Sequence, residues 1–213
     1  LIYEKLKTGN ALEKRKITKL LRHGDWHELA PVLVEMAISH DEDELSRVGA
    51  LYALGAAGDT IDKTVGKAIV SILDETDRSF VEKRIAISTL ARIGYREAIP
   101  QIEPFLNHED THVRIFATRA LAELGQKVNS KKLFTDLKNE DYVVRQEACG
   151  ALGSIGGSDT VSILEKIAQD DIHTSVRRAA KIALTRIRTS SMSEDNKADF
   201  LVGLISDSDK DVA

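Results

Sequence analysis

Val144-Arg145-Gln146-Glu147-Ala148-Cys149-Gly150-Ala151-Leu152-Gly153-Ser154-Ile155-Gly156 is one copy of a pattern that recurs along the chain. An earlier copy begins Val113-Arg114 and a later one Val176-Arg177. The copies register on a basic residue, Arg47, Lys83, Arg114, Arg145 and Arg177, at intervals of 36, 31, 31 and 32 residues. A period in this range marks a stacked array of helical units. Counting from the basic residue, small or apolar side chains fall at +3, +6, +7 and +10. In the quoted copy they are Ala148, Ala151, Leu152 and Ile155, and from Arg47 they are Ala50, Ala53, Leu54 and Ala57. That spacing is one face of an α-helix. Glycine follows at +11 in four copies (Gly58, Gly94, Gly125, Gly156), where it can stop the helix in a left-handed conformation. The fifth copy has Arg188 there, so its helix is expected to run on.

A shorter apolar segment precedes each such helix: Leu29–Ile38, Ile61–Leu73, Ala98–Leu106, Leu133–Leu137 and Val161–Ala168, with Phe200–Ile205 as a sixth. The two helices of each unit are separated by an acidic turn, such as Asp41-Glu42-Asp43, Glu109-Asp110, Glu140-Asp141 or Asp170-Asp171. Aspartate in these turns suits the positive start of the next helix. Pro104 falls inside its segment and should kink or shorten that helix. The whole chain, 1–213, is therefore expected to be one repeat domain. Residues 1–24 form a degenerate repeat in which Ile17, Leu20, Leu21 and Gly24 keep the rhythm. Full repeats follow at 25–59, 60–95, 96–126, 127–157 and 158–189, and a truncated one at 190–213. The chain opens on Leu1 rather than Met. It closes at Ala213, just after Asp207-Ser208-Asp209-Lys210-Asp211-Val212 starts another acidic turn. A piece of a longer protein is expected.

Composition narrows the class. Aromatic residues make up only 5%, so aliphatic and small side chains must do the packing, which suits closely packed helices over a β-sandwich. The net charge of −4 gives no overall pull toward nucleic acid or an anionic membrane. One cysteine, Cys149, rules out an internal disulfide or a cysteine-based zinc cluster and fits a reducing, cytoplasmic compartment. Cys149 itself reads as a small buried hydrophobe. No apolar run approaches the ~18 residues a membrane span needs.

These features resemble the HEAT-repeat family, in particular its short form known as PBS-lyase HEAT-like repeats. The residues that carry the resemblance are the D-x-x-V-R turns (Asp110…Val113-Arg114, Asp141…Val144-Arg145) and the A-x-x-A-L-x-x-[IL]-G helices after them. The resemblance implies an all-α, right-handed α-solenoid of helical hairpins whose second helices line the concave face. It also implies that the turn Asp110 and Asp141, with Arg47, Arg114, Arg145 and Arg177, stack between repeats as a structural ladder. Some HEAT-like proteins are di-iron hydroxylases with His-Glu pairs on successive inner helices. The corresponding pairs here are Gln146-Glu147, Ile115-Phe116 and Arg178-Ala179, so those ligands are missing.

Two histidine pairs have metal-ligand spacing. His108-Glu109-Asp110-Thr111-His112 fits H-E-x-x-H, which holds zinc only when both histidines share a helix face. The repeat register puts it on an acidic turn instead. His23 and His27 flank Gly24-Asp25, which reads as a helix break and cap completed by Glu28. No metal, cofactor or catalytic residue is assigned from these patterns.

Positions +1, +5 and +9 lie off the buried face of each second helix. They hold Val48, Tyr52 and Ala56; Arg84, Ser88 and Arg92; Ile115, Arg119 and Glu123; Gln146, Gly150 and Ser154; Arg178, Ile182 and Arg186. Arginine and tyrosine are enriched at binding hot spots. The expected function is a non-catalytic protein-interaction scaffold that holds an acidic or mixed segment of a protein partner. The segment would lie along Tyr52, Arg84, Arg92, Ile115, Arg119, Gln146, Arg178 and Arg186. The resemblance implies two alternatives. One is a phycobilin lyase-like subunit that handles a tetrapyrrole. The other is a glycosylase acting on alkylated DNA bases, which would need a basic groove with aromatic walls, and the only tryptophan is Trp26.

Overall fold

The computed structural model describes residues 1–21, 26–58, 61–190, 192–193, 195–200 and 202. His23, Gly24, Asp25 and the turn at 207–212 lie outside these residues. Helix is the only regular secondary structure among the described residues. They fall into two compact units, Leu1–Phe134 and Thr135–Ala213, and the boundary lies inside one short helix.

The first unit is two layers of helices. One layer runs α1 (Ile2–Thr8), α3 (Ala30–Ile38), α5 (Lys63–Asp74) and α7 (Ile99–Ile102), each packed on the next. The other runs α2 (Ala11–Leu21), α4 (Glu44–Ala57), α6 (Phe80–Arg92) and α8 (Thr111–Glu123), again in sequence. Helices of the two layers pair as hairpins, α1 with α2 through α7 with α8. α7 is only four residues long and passes into a 3-10 turn, Glu103–Asn107, as Pro104 demands. The boundary helix is α9 (Lys131–Asp136). In the second unit, α10 (Tyr142–Ile155) and α12 (Thr174–Thr189) pack side by side, with α11 (Ser158–Asp170) against α12.

The periodic positions form the core. In all five copies +3, +6 and +7 are buried, and +10 is buried except at the half-buried Ile155 and Ile187. Gly58, Gly94, Gly125 and Gly156 all take positive φ at the ends of their helices. Gly156, at φ 73 and ψ −164, occupies a region open essentially to glycine alone. With Arg188 in place of that glycine, α12 continues to Thr189.

The degenerate first repeat is more regular than its sequence suggested. Arg15 lies 32 residues before Arg47, at the same period, and its +3 and +6 residues, Thr18 and Leu21, are buried. Leu20, expected in the rhythm, is 74% exposed because it sits one residue off that face.

Arginines link successive repeats. Arg15 Nε donates to Asp43 at 3.0 Å, Arg47 Nε to Glu82 at 2.6 Å, and Arg145 Nε to Asp171 at 2.8 Å. Arg114 and Arg177 instead bind their own turns, donating to the carbonyls of His108 and Glu109, and of Asp171 and Ile172. Asp110 and Asp141 serve their own helices. Each is an N-cap, accepting from the amides of Val113 and Val143. An aspartate four residues before the arginine faces the first-turn amides of its own helix. The caps of α6 and α12 depart from the acidic-turn rule too. Ser79 forms a capping box with Glu82 on α6, and α12 starts at His173 without a side-chain cap, because the position four before Arg177 holds histidine in place of aspartate.

Glu82 is almost fully buried between Arg47 and Arg78, and Arg78 (4% exposed) also donates to Glu75 and to the carbonyls of Ala37 and Ile38. Burial alone would raise the Glu82 carboxyl. Hydrogen bonds from Arg47, the Ser79 amide and Arg78 outweigh it and hold it below the usual carboxylate range. The hydrogen bond from Arg145 holds the Asp171 carboxyl low in the same way.

Replacing Asp171 by Asn should cost about 2–4 kcal/mol at pH 7, since it leaves the Arg145 guanidinium with only the carbonyls of Asn139 and Glu140. A lowered carboxyl pKa stabilises the fold above the unfolded value and loses that contribution as pH falls through the folded one. Urea titrations of the two proteins should therefore converge at acid pH, below the ordinary aspartate value of 3.8. A gap that stays constant would refute the assignment.

Candidate functional site

The second helices stand between lateral neighbours as well as on their first helices, so more than the +3, +6, +7 and +10 face is covered. Val48 and Ile115, both at +1, are buried, Ile115 to 1% exposure. Ile115 is therefore withdrawn from the expected binding strip: +1 lies at the edge of the open face, where an apolar side chain turns under cover. Tyr52 is half-buried. Arg84 stacks over the Phe116 ring at 4.8 Å, and Arg119 pairs with Glu123 at 2.9 Å, one turn along α8. Arg92 is exposed.

In the second unit the expected residues converge. Gln146 and Arg178 line one groove of about 510 Å³, together with Thr174, Ser175, Ala179 and Ile182. Arg178, Ile182 and Arg186 follow one another at four-residue spacing on α12, and all three are exposed. Close packing brings this face beside α10. A methyl group built on Gly153 would stand 2.8 Å from both Cα and Cβ of Ala183. α12 carries Arg177, Arg178, Lys181, Arg186 and Arg188 and no carboxylate. Its neighbours Glu165 and Asp171 are bound to Arg188 and Arg145.

One turn before Gln146 on α10, and next to Thr174 in sequence, stands an aromatic pair. The rings of Tyr142 and His173 lie parallel at 3.8 Å, and His173 Nδ1 is 3.3 Å from Ser175 Oγ. The sequence reading missed Tyr142 and Thr174 because it counted the open face only from +1. One turn earlier, at −3, the same face holds Phe80, Tyr142 and Thr174. Phe80 likewise meets a histidine edge-on, His108 at 4.7 Å. That contact explains the H-E-x-x-H match: His108 lies in the turn before α8, against Phe80 and Phe105, and its Nδ1 accepts from the Asp110 amide. His108 and His112 do not share a helix.

Cys149 behaves as its position suggests. It is fully buried, and burial pushes the thiol up to about 12. His40, Glu75 and Asp77 form a small exposed cluster in the first unit, with Glu75 held by Arg78. A second groove in that unit, about 500 Å³ between α3 and α5, is lined by Pro31, Val34, Ile61 and Val65 with Glu35 and Asp62, and Asp62 caps α5.

A HEAT-repeat family profile matches residues 66–137 and 130–213. The chain belongs to the HEAT-repeat family. Among curated relatives, the phycocyanobilin lyase subunit alpha of a Nostoc species is 31% identical over 148 residues, 64% of this chain and 51% of that protein. Deoxyhypusine hydroxylase of Drosophila pseudoobscura is 30% identical over 124 residues, 57% of this chain and 41% of that protein. The chain spans about half or less of the length of these relatives. A solved complex of CpcE and CpcF of phycocyanin lyase from Nostoc superposes with a TM-score of 0.68 at 24% identity, covering 97% of this chain and 80% of that one, and shares its fold. These relatives overturn the expectation of a non-catalytic chain: the proteins it matches are lyase subunits and a hydroxylase. No helix among the described residues is long and apolar enough to cross a membrane.

Replacing Gly153 by Ala should force α10 and α12 apart and cost about 1–3 kcal/mol, read by thermal or urea denaturation. An unchanged midpoint would mean that the two helices are not in this contact.

Proposed function

We propose that the chain is a subunit of the phycobilin lyase type, which holds a linear tetrapyrrole for attachment to, or removal from, a protein. The supporting observation is the likeness to phycocyanobilin lyase subunits, in a chain whose second unit carries an open groove with exposed Ile182 in its wall. Its size falls within the ~300–1,000 Å³ typical of small-molecule sites, and its mixed apolar and cationic lining suits a flat, partly apolar, anionic ligand. The hydroxylase likeness is not followed. Gln146-Glu147, Ile115-Phe116 and Arg178-Ala179 stand where the HEAT-like di-iron enzymes carry His-Glu pairs, and Ile115 is buried. The DNA reading is not followed either, since no aromatic residue lines the groove and the net charge is −4.

A lyase subunit of this kind works with other proteins. CpcE is found in complex with CpcF, and we propose that this chain likewise acts beside a second protein subunit. The basic face of α12, with Arg178 and Arg186, fits the acidic or mixed partner segment expected from sequence. Titrating phycocyanobilin with the protein should shift and sharpen the bilin's long-wavelength absorbance, with saturation in the micromolar range. A spectrum unchanged up to roughly 100 μM protein, some two orders above such a dissociation constant, would contradict the proposal.

A further inference from the structure

Most arginines of the second unit are already engaged. Arg145 binds Asp171, Arg177 binds the carbonyls of its turn, and Arg188 binds Glu165. Arg178 differs. It lines the groove, it is exposed, and its guanidinium makes no hydrogen bond or ion pair among the described residues. The Gln146 amide on α10, lining the same groove, is likewise unengaged among them. A guanidinium and a primary amide both present N–H donors, and the guanidinium fork matches the two oxygens of a carboxylate. Beside them Ile182 is 61% exposed, and α12 supplies no carboxylate to compete. Ser175 Oγ adds a hydroxyl on the same wall.

We propose that Arg178 and Gln146 form a carboxylate subsite that takes a propionate side chain of the tetrapyrrole, with the apolar pyrrole system lying over Ile182. This rests on the tetrapyrrole reading above and adds what fixes the ligand's orientation. An isolated apolar groove would let a linear tetrapyrrole slide or reverse. A charge-assisted bond at one end sets which end lies where. The same carboxylate chemistry could come from a glutamate of a protein partner, and the experiment separates the two sources.

Binding is measured by absorbance and by isothermal calorimetry for phycocyanobilin, for its dimethyl ester, and for a fluorescent octaglutamate peptide. The proteins are the full chain and its Arg178→Gln, Gln146→Ala and Lys181→Gln variants. Lys181 is an exposed cation of α12 outside the groove and controls for general charge. The free acid should bind about 10- to 100-fold more tightly than the ester, and Arg178→Gln should erase that difference while Lys181→Gln preserves it. Equal affinity for acid and ester, or an acid preference that survives Arg178→Gln, would overturn the subsite while leaving the tetrapyrrole reading intact. If neither bilin binds but octaglutamate binds in an Arg178-dependent way, the carboxylate subsite stands with a protein ligand and the tetrapyrrole reading falls. If none of the three binds, both are overturned. Circular dichroism of each variant confirms that lost binding is not lost fold, and Gln146→Ala, which leaves every charge in place, should reduce the acid preference partially.

Discussion

A guanidinium at the start of a packed helix cannot be left without partners, and this constraint organises the chain. Each second helix opens with a cation close to the seam between repeats, where desolvation makes an unpaired charge costly. Two kinds of bond are used. Arg15, Arg47 and Arg145 reach forward to an acid of the next repeat, Asp43, Glu82 and Asp171. Arg47, Arg114, Arg145 and Arg177 fold back on carbonyls of their own turn. The first kind ties repeat to repeat and the second stiffens the turn. Glu82 carries this furthest, since Arg47 and Arg78 approach it from two sides. Several acids of the turns go to these bonds and to helix caps, as Asp43, Asp110, Asp141 and Asp171 do, and α12 carries cations and no carboxylate.

Small residues set how near those faces come. Gly49 accommodates Thr18 and Gly153 accommodates Ala183, each at a distance no added methyl group would tolerate. Thr89 Oγ1 donates to the Leu51 carbonyl across the same kind of seam at 2.9 Å. Close lateral packing also narrows what remains accessible, and an apolar +1 residue is drawn under while a polar one stays out. The contrast between buried Ile115 and exposed Gln146 and Arg178 follows from this. Function in such an array is confined to a narrow arc on each helix. That arc can serve a lyase subunit without any contiguous catalytic motif.

The helical face at +3, +6, +7 and +10, the stop glycines and the truncated helix at Pro104 were legible, because they depend on bonds within one helix or one turn. The edges of that face were not. Whether +1 is open depends on a lateral neighbour some thirty residues away, which periodicity within a helix cannot report. The pairing of the arginines is equally non-local: Arg145 uses Asp171, an acid of the next repeat. Arg15 was legible in principle by its 32-residue offset from Arg47. Of the candidate site, Gln146 and Arg178 were named from sequence. Thr174 and Tyr142 lie one turn earlier on the same face and needed the open face to be followed past the anchor.

The central claim is that the α10–α12 groove holds the ligand. It is tested most directly by locating bound phycocyanobilin with side-chain-resolved NMR. The Gln146 amide and the Arg178 Nε–H resonances should shift on titration, with Ile182 methyl signals following and Cys149 unaffected behind them. Shifts confined to Arg92, Arg119 and their neighbours, with Gln146 and Arg178 unchanged, would contradict the account.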